Sequence, residues 1–230
     1  MNFEYLLFNI VIISGPLSLS FDKKVHFVGK WKRVFKAILG PMLVFIIWDA
    51  MVTNKHWWFN ERFVLNIRLL GLPVEEWLFF ITVPFSSLFI WECLAAYLPN
   101  RKLLKFRFLR PVLLLSVLPG GMLFLSGKEY TGLVLVAMGL VAFLDVVFQT
   151  DLFFHLRTYQ YLAILMGLML LFNGYLTTRP VVLYNEVYQL GFRIFTIPIE
   201  DFVYGFSHLI LCTIFYEKIN EVKINELKIN

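Results

Sequence analysis

Apolar positions along this chain fall into seven long runs separated by short polar segments. The pattern predicts helices over residues 2–21, 35–53, 73–97, 111–127, 131–148, 158–177 and 198–217. Most are close to the roughly 20 residues needed to cross the hydrocarbon core of a bilayer. The fourth is short and contains Pro119-Gly120-Gly121, which predicts a kink or an oblique course. The expected fold class is therefore an all-α membrane protein with about seven transmembrane helices.

The polar segments set the expected topology. Residues 22–36, 98–110, 149–158 and those from 218 onward carry fifteen Lys and Arg, whereas 53–72, 127–130 and 178–197 carry six. The positive-inside rule then places the N-terminus outside and the C-terminus in the cytoplasm, with the plasma membrane as the expected location. An odd number of spans agrees. The first twenty residues contain Glu4 and lack both a basic leader and a small-residue cleavage site, so they read as a retained helix. From 218 onward Lys-Ile-Asn recurs among alternating charges, which reads as a frayed, solvated tail.

Composition strengthens the membrane reading. Of 230 residues 59% are hydrophobic and 16% charged, with mean hydropathy +0.72. A soluble domain carries about a quarter charged residues, so lipid is the expected solvent for most of this surface. The 25 Phe, 10 Tyr and 6 Trp exceed what interfacial belts need and leave aromatic side chains to line a cavity. The net charge of +5 is concentrated in two short segments and reads as topology, not as a nucleic-acid footprint. Cys93 and Cys212 lie in apolar runs without Cys-x-x-Cys spacing, so neither a disulfide nor a zinc site is expected.

A gapless internal repeat changes the picture further. Residues 60–80 read NERFVLNIRLLGLPVEEWLFF and residues 185–205 read NEVYQLGFRIFTIPIEDFVYG, an offset of 125. It matches Asn60 with Asn185, Glu61 with Glu186, Arg68 with Arg193, Pro73 with Pro198, Glu75 with Glu200, and Glu76 with Asp201. An aromatic residue, Phe59 or Tyr184, precedes each Asn. Asp49 falls near Asn173 if one residue is inserted. The chain thus divides into a first three-helix repeat (1–110), a linker helix (111–127), a second repeat (128–217) and a tail (218–230). The odd linker helix lets both repeats keep one orientation, and parallel repeats commonly place a site between them.

The repeated motif has two readings. Proline and acids in the first turn make a good helix start on capping and dipole grounds alone, with Asn, Glu and Arg as turn or pairing groups. A functional reading rests on four carboxylates at the hydrocarbon edge, where an ionisable group costs several kcal/mol unless partnered or used. Asp49, after Trp48, ends the second apolar run on the same side. Glu92, Asp145 and His208 lie within predicted spans and read as packed, hydrogen-bonded groups. His26, His56 and His155 read as interfacial loop residues. No nucleotide-binding, hydrolase-triad or zinc-protease motif is present, and no cofactor or metal is expected.

Together these residues resemble the integral-membrane lycopene cyclases of some bacteria, archaea and fungi, in particular their fused form. The resemblance rests on Trp48-Asp49, Phe59-Asn60, the run from Pro73 to Phe80, and Pro198-Ile199-Glu200-Asp201-Phe202. It covers essentially the whole chain. It implies a redox-neutral cyclisation of the ψ end of lycopene to a β-ionone ring, giving γ-carotene, β-carotene or both. It also implies an acid–base group drawn from Glu75, Glu76, Glu200, Asp201 and Asp49. Asn60, Asn185, Arg68, Arg193, Trp48, Phe79 and Tyr204 are the expected substrate-binding or orienting residues. The expected partners are the carotenoid and membrane lipid, with contact to other carotenoid enzymes possible in principle and no nucleic acid. A small transporter with three-plus-one-plus-three parallel repeats is the alternative, and a structural partner of another pigment enzyme is a third reading.

Overall fold

A computed structural model describes residues 3–106 and 108–229. The helices are α1 (Glu4–Leu19), α2 (Trp31–Val52), α3 (Val74–Tyr97), α4 (Leu109–Leu115), α5 (Val117–Leu125), α6 (Glu129–Val147), α7 (Leu156–Thr178) and α8 (Ile199–Ile229). Four of them, α2, α3, α6 and α7, are long and apolar enough to cross a membrane, and α1 and the segment 109–125 are shorter apolar helices. The chain is an all-α membrane protein.

The expected fourth helix is two pieces, α4 and α5, joined at Ser116. The Ser116 hydroxyl donates to the carbonyl of Leu113 at 2.5 Å and to Leu135 of α6 at 2.8 Å. A side chain inserted into the backbone ladder in this way breaks a helix. Pro119 then sits in the first turn of α5, where its missing N–H costs nothing. Gly120 lies so close to α6 that a Cβ there would meet the Gly132 carbonyl at 2.9 Å. Small residues permit this close backbone approach in a membrane, where packing drives helix association.

The repeat extends to nearly every element. Helices α1 and α6 begin at residues 4 and 129, α2 and α7 at 31 and 156, and α3 and α8 at 74 and 199, each pair 125 apart. The intervening loops carry short strands that periodicity did not announce. They are β1 (Trp57–Phe59), β2 (Arg68–Leu69), β3 (Leu72–Pro73), β4 (Val182–Tyr184), β5 (Arg193–Ile194) and β6 (Ile197–Pro198). Left-handed backbone recurs at the same offset, at His26 and Asp151 and at Leu70 and Phe195. The tail expected to fray is instead a continuation of α8, which runs to Ile229, and Lys218 pairs with Glu221 one turn on at 2.7 Å.

The loops also join the halves. Strand β1 pairs antiparallel with β4, with Trp58 opposite its own repeat equivalent Leu183. The Asn60 amide donates to Val181 at 2.9 Å, and the Asn185 amide donates to His56 at 2.8 Å. Each half therefore closes a ribbon on the other with two-fold register. Ion pairs cross in the same sense: Arg179 reaches Glu4 at 2.9 Å and Lys55 reaches Glu129 at 2.5 Å. At the opposite end of the bundle Lys30 holds Glu92 at 2.5 Å, and the Trp91 indole donates to Glu217 at 2.5 Å. Arg110 ties the linker to α6 through Asp145 at 2.7 Å. Glu92 and Asp145 are thus partnered structural groups.

Candidate active site

Pro73 takes an extended conformation (φ −62°, ψ 148°) and caps α3, placing Glu75 and Glu76 in the first turn. Adjacent helical residues point about 100° apart, and the two acids of each pair accordingly meet different surroundings. Glu75 turns back to the loop before it and accepts the Leu65 amide at 2.6 Å. Glu200 does the same with the Leu190 amide at 2.8 Å and also accepts the Thr131 hydroxyl at 2.5 Å. These first acids clasp the loops that deliver the chain into α3 and α8.

The second acids face a cavity of ≈ 500 Å³ between the two halves, and Asp49 joins them there. The Tyr5 hydroxyl donates to Glu76 at 2.5 Å. Asp49 accepts the Trp57 indole N–H at 2.7 Å and the Thr53 hydroxyl at 3.2 Å. Glu76 lines the cavity beside Asp49, whose Oδ2 is buried without a hydrogen-bond partner. Asp201 is served differently: Tyr130 donates at 2.7 Å, Tyr184 at 2.6 Å and Asn173 at 2.9 Å. Three converging donors are the environment of a carboxylate. Burial, with the Asp201 charge beside it, holds the Tyr184 phenol well above the usual tyrosine value, so Tyr184 remains a donor.

Aromatic faces surround the acids. Tyr204 stacks edge-on against Trp48 (4.9 Å between centroids) and Phe45 (5.1 Å), and Trp57 meets Tyr130 at 5.0 Å. Away from the acids the cavity is apolar, lined by Leu19, Phe89, Ile90 and Leu165. The hydroxyls of Ser86 and Ser87 there are spent on helix carbonyls at 2.7 and 2.9 Å. His208 is the polar exception. It lines the cavity between Phe45 and Phe80, and its buried Nε2 has no partner.

The family model for lycopene cyclase matches residues 2–94 and again residues 128–219. The chain belongs to the lycopene cyclase family. The two matched segments are the two halves described above. Membership makes the chain an enzyme of carotenoid cyclisation, working on a carotenoid within the membrane. No curated protein and no solved structure matches it.

For this cyclase-family chain the cavity sorts the residues expected from sequence. Asp49, Glu76, Asp201, Phe79 and Tyr204 line it, and Trp48 backs Tyr204 from outside. Glu75 and Glu200 are absent from its wall, for the reason given. Asn60 and Asn185 are loop groups: their amides donate to the carbonyls of Pro180 and Lys55, and their carbonyl oxygens accept the amides of Arg62 and Val187. Arg68 and Arg193 staple their own hairpins, donating to Gly71 at 3.0 Å and Thr196 at 2.8 Å. Among the described residues neither arginine reaches Glu75, Glu76, Glu200 or Asp201, and Arg193 instead pairs with Glu186 at 3.6 Å. His208, expected as a hydrogen-bonded packing group, has an unpartnered Nε2 at the cavity instead.

Tyr5, Tyr130, Tyr184 and Trp57 were missed as partners of the acids. A signal existed for the first two, since Glu4-Tyr5 and Glu129-Tyr130 stand 125 residues apart, at the offset of the longer repeat. None existed for Trp57, whose equivalent is Val182, nor for the hydroxyl of Tyr184, whose equivalent is Phe59.

Proposed function

We propose that this protein closes β-ionone rings on lycopene by acid–base catalysis, with Asp49 and Glu76 as the proton-donating pair and Asp201 as the base. The observation that carries the reading is one cavity holding three buried carboxyls, of which Asp201 receives three donors while Asp49 keeps one oxygen without a hydrogen-bond partner. The acid pair delivers its proton to C2 of the ψ end group, leaving a cation at C1. The C5=C6 alkene attacks C1, the ring closes, and charge moves to C5. Loss of the C6 proton to Asp201 forms the ring alkene. One proton enters the substrate and one leaves, so no redox partner is required.

The surroundings suit a cationic intermediate. The faces of Tyr204, Trp57 and Phe79 supply electron density without a nucleophilic lone pair in bonding position. Donors fixed before reaction cost no reorganisation when charge develops. The polar groups gather at one end of an otherwise apolar cavity, which favours an enzyme over a transporter whose relay groups would continue through the membrane. The orientation fitting the basic loops has the N-terminus outside, the C-terminus in the cytoplasm and the site at the outer edge of the plasma membrane.

Expression in cells that accumulate lycopene, followed by chromatography of the pigments, tests the reading. Cyclised product with β-rings is expected. Unchanged lycopene, with the protein confirmed in the membrane, would overturn it.

A further inference from the structure

Duplication supplies two motifs, yet their acids converge on one cavity. Asp49 and Glu76 come from the first half and Asp201 from the second, and all three line the same end. The halves are not interchangeable there. The second half carries His208 where the first has Val83, and Tyr204 where the first has Phe79. Two ancestral half-sites have become a single composite one.

The far end of the cavity offers no equivalent chemistry. Its wall there, formed by Leu19, Phe89, Ile90 and Leu165, contains no titratable group. The nearest carboxylates on α3 and α8, Glu92 and Glu217, do not line the cavity. They are held by Lys30 and by the Trp91 indole. From Glu76 to Ile90 along α3 is fourteen residues, or roughly 21 Å at helical rise. A carotenoid rod comparable with the roughly 30 Å hydrocarbon core, with one end at the acids, therefore has its other end far from any of them.

The cavity also opens sideways. Val11, Ser14, Gly15 and Leu19 of α1 line it while remaining exposed on the outer surface of the bundle. A Cβ on Gly15 would meet no atom within 4 Å. Helices α1 and α7 close on each other at the acid end, where Phe8 packs edge-on against Phe172 at 5.8 Å and Tyr175 donates to Glu4 at 2.6 Å. The exposed stretch of α1 lies further along, facing the lipid.

We propose that each binding event closes one ring, and that the monocyclic product leaves through the side of the bundle between α1 and α7 before its other end can react. The inference rests on the cyclase reading above and adds the order of events. Each closure moves one proton from the Asp49–Glu76 pair to C2 and one from C6 to Asp201, so the net proton count is unchanged and the site is ready again once Asp201 has lost its proton and the pair has regained one. A second ring requires the molecule to turn end for end in the lipid and bind again.

The test uses the purified full-length protein in lipid vesicles, supplied with isotopically labelled lycopene and unlabelled monocyclic γ-carotene. With about a tenfold molar excess of γ-carotene, label in β-carotene falls about tenfold and label accumulates in γ-carotene, by mass action. Label found only in the monocyclic product supports the inference equally. Label passing into β-carotene undiminished by the excess would overturn it while leaving the cyclase reading intact. No cyclised label under any condition would remove the cyclase reading itself.

Discussion

Tyr130 donates its hydroxyl to Asp201 across 2.7 Å, the same bond that Tyr5 makes to Glu76 at 2.5 Å one repeat earlier. Each tyrosine stands in the first turn of its half's first helix, so α1 and α6 act as positioning arms for acids on α3 and α8. A hydrogen bond to a charged group contributes about 1.5–3 kcal/mol. Tyr130→Phe is therefore expected to lower kcat roughly 10- to 100-fold, with KM little changed and the protein still in the membrane. Equal losses of membrane abundance and rate would mean that the bond serves folding alone.

Asp201→Asn and Glu200→Gln separate the two acids of one motif. Asp201 is the proposed base, and loss of general-base catalysis costs typically 10²- to 10⁴-fold. Glu200 instead clasps the Leu190 amide and the Thr131 hydroxyl. Its amide variant is expected to lose about 1.5–3 kcal/mol of stability, seen as a lower unfolding temperature in detergent, with most activity per folded molecule retained. Ring formation by Asp201→Asn at the native rate would refute the assignment.

Asn173→Asp imitates the first half, which has Asp49 in the corresponding region. The change removes one of the three donors to Asp201 and sets a carboxyl beside it, so the two would compete for one proton. We expect at least a tenfold loss of cyclised pigment on chromatography. Full activity in this variant would show that the chemical difference between the halves is incidental.

The helical bundle was legible because apolar length and the 125-residue offset survive in one dimension. Motif spacing located both acid pairs, but it did not decide which acid faces inward. That depends on which neighbour lies 100° around the helix, and for Glu75 and Glu200 the neighbour is a loop amide ten residues back. Asn60, Arg68 and their equivalents repeat as faithfully as the acids because the loop they fold is itself duplicated. Repetition marked a shared structure, and only the cavity separated structure from chemistry. The break at Ser116 depended on a hydroxyl bond to Leu135 of another helix, which no local pattern carries.

Arg110→Ala examines the linker. Arg110 bridges Asp145, whose side chain is 0% exposed, and Asp151. Removing one partner of a buried ion pair leaves an uncompensated charge and costs about 3–5 kcal/mol. The variant is expected to show reduced membrane abundance and a lower unfolding temperature, and Arg110→Ala combined with Asp145→Asn is expected to recover part of the loss. No recovery would place the role of Arg110 in its contact with the Phe154 ring, 4.1 Å away.

His56 gives the protein an acid-sensitive loop. It lies between β1 and the end of α2, and its backbone carbonyl receives the Asn185 amide that joins the halves. Its ring is buried, tilted against Tyr188 with 4.8 Å between centroids, and its Nε2 lies on Glu129 at 2.9 Å. Burial pulls its pKa below the usual 6.5, and this outweighs the opposite pull of Glu129. The unfolded chain then binds the proton more readily than the folded one. The stability contributed by neutral His56 is present above pH 6.5 and is lost as pH falls through 6.5 toward the lower folded value. Unfolding temperature measured between about pH 5 and 8 is expected to drop on the acid side in the native protein. In His56→Gln, which keeps a donor for Glu129 but cannot titrate, that slope is expected to flatten. An unchanged slope in the variant would assign the acid sensitivity to another group.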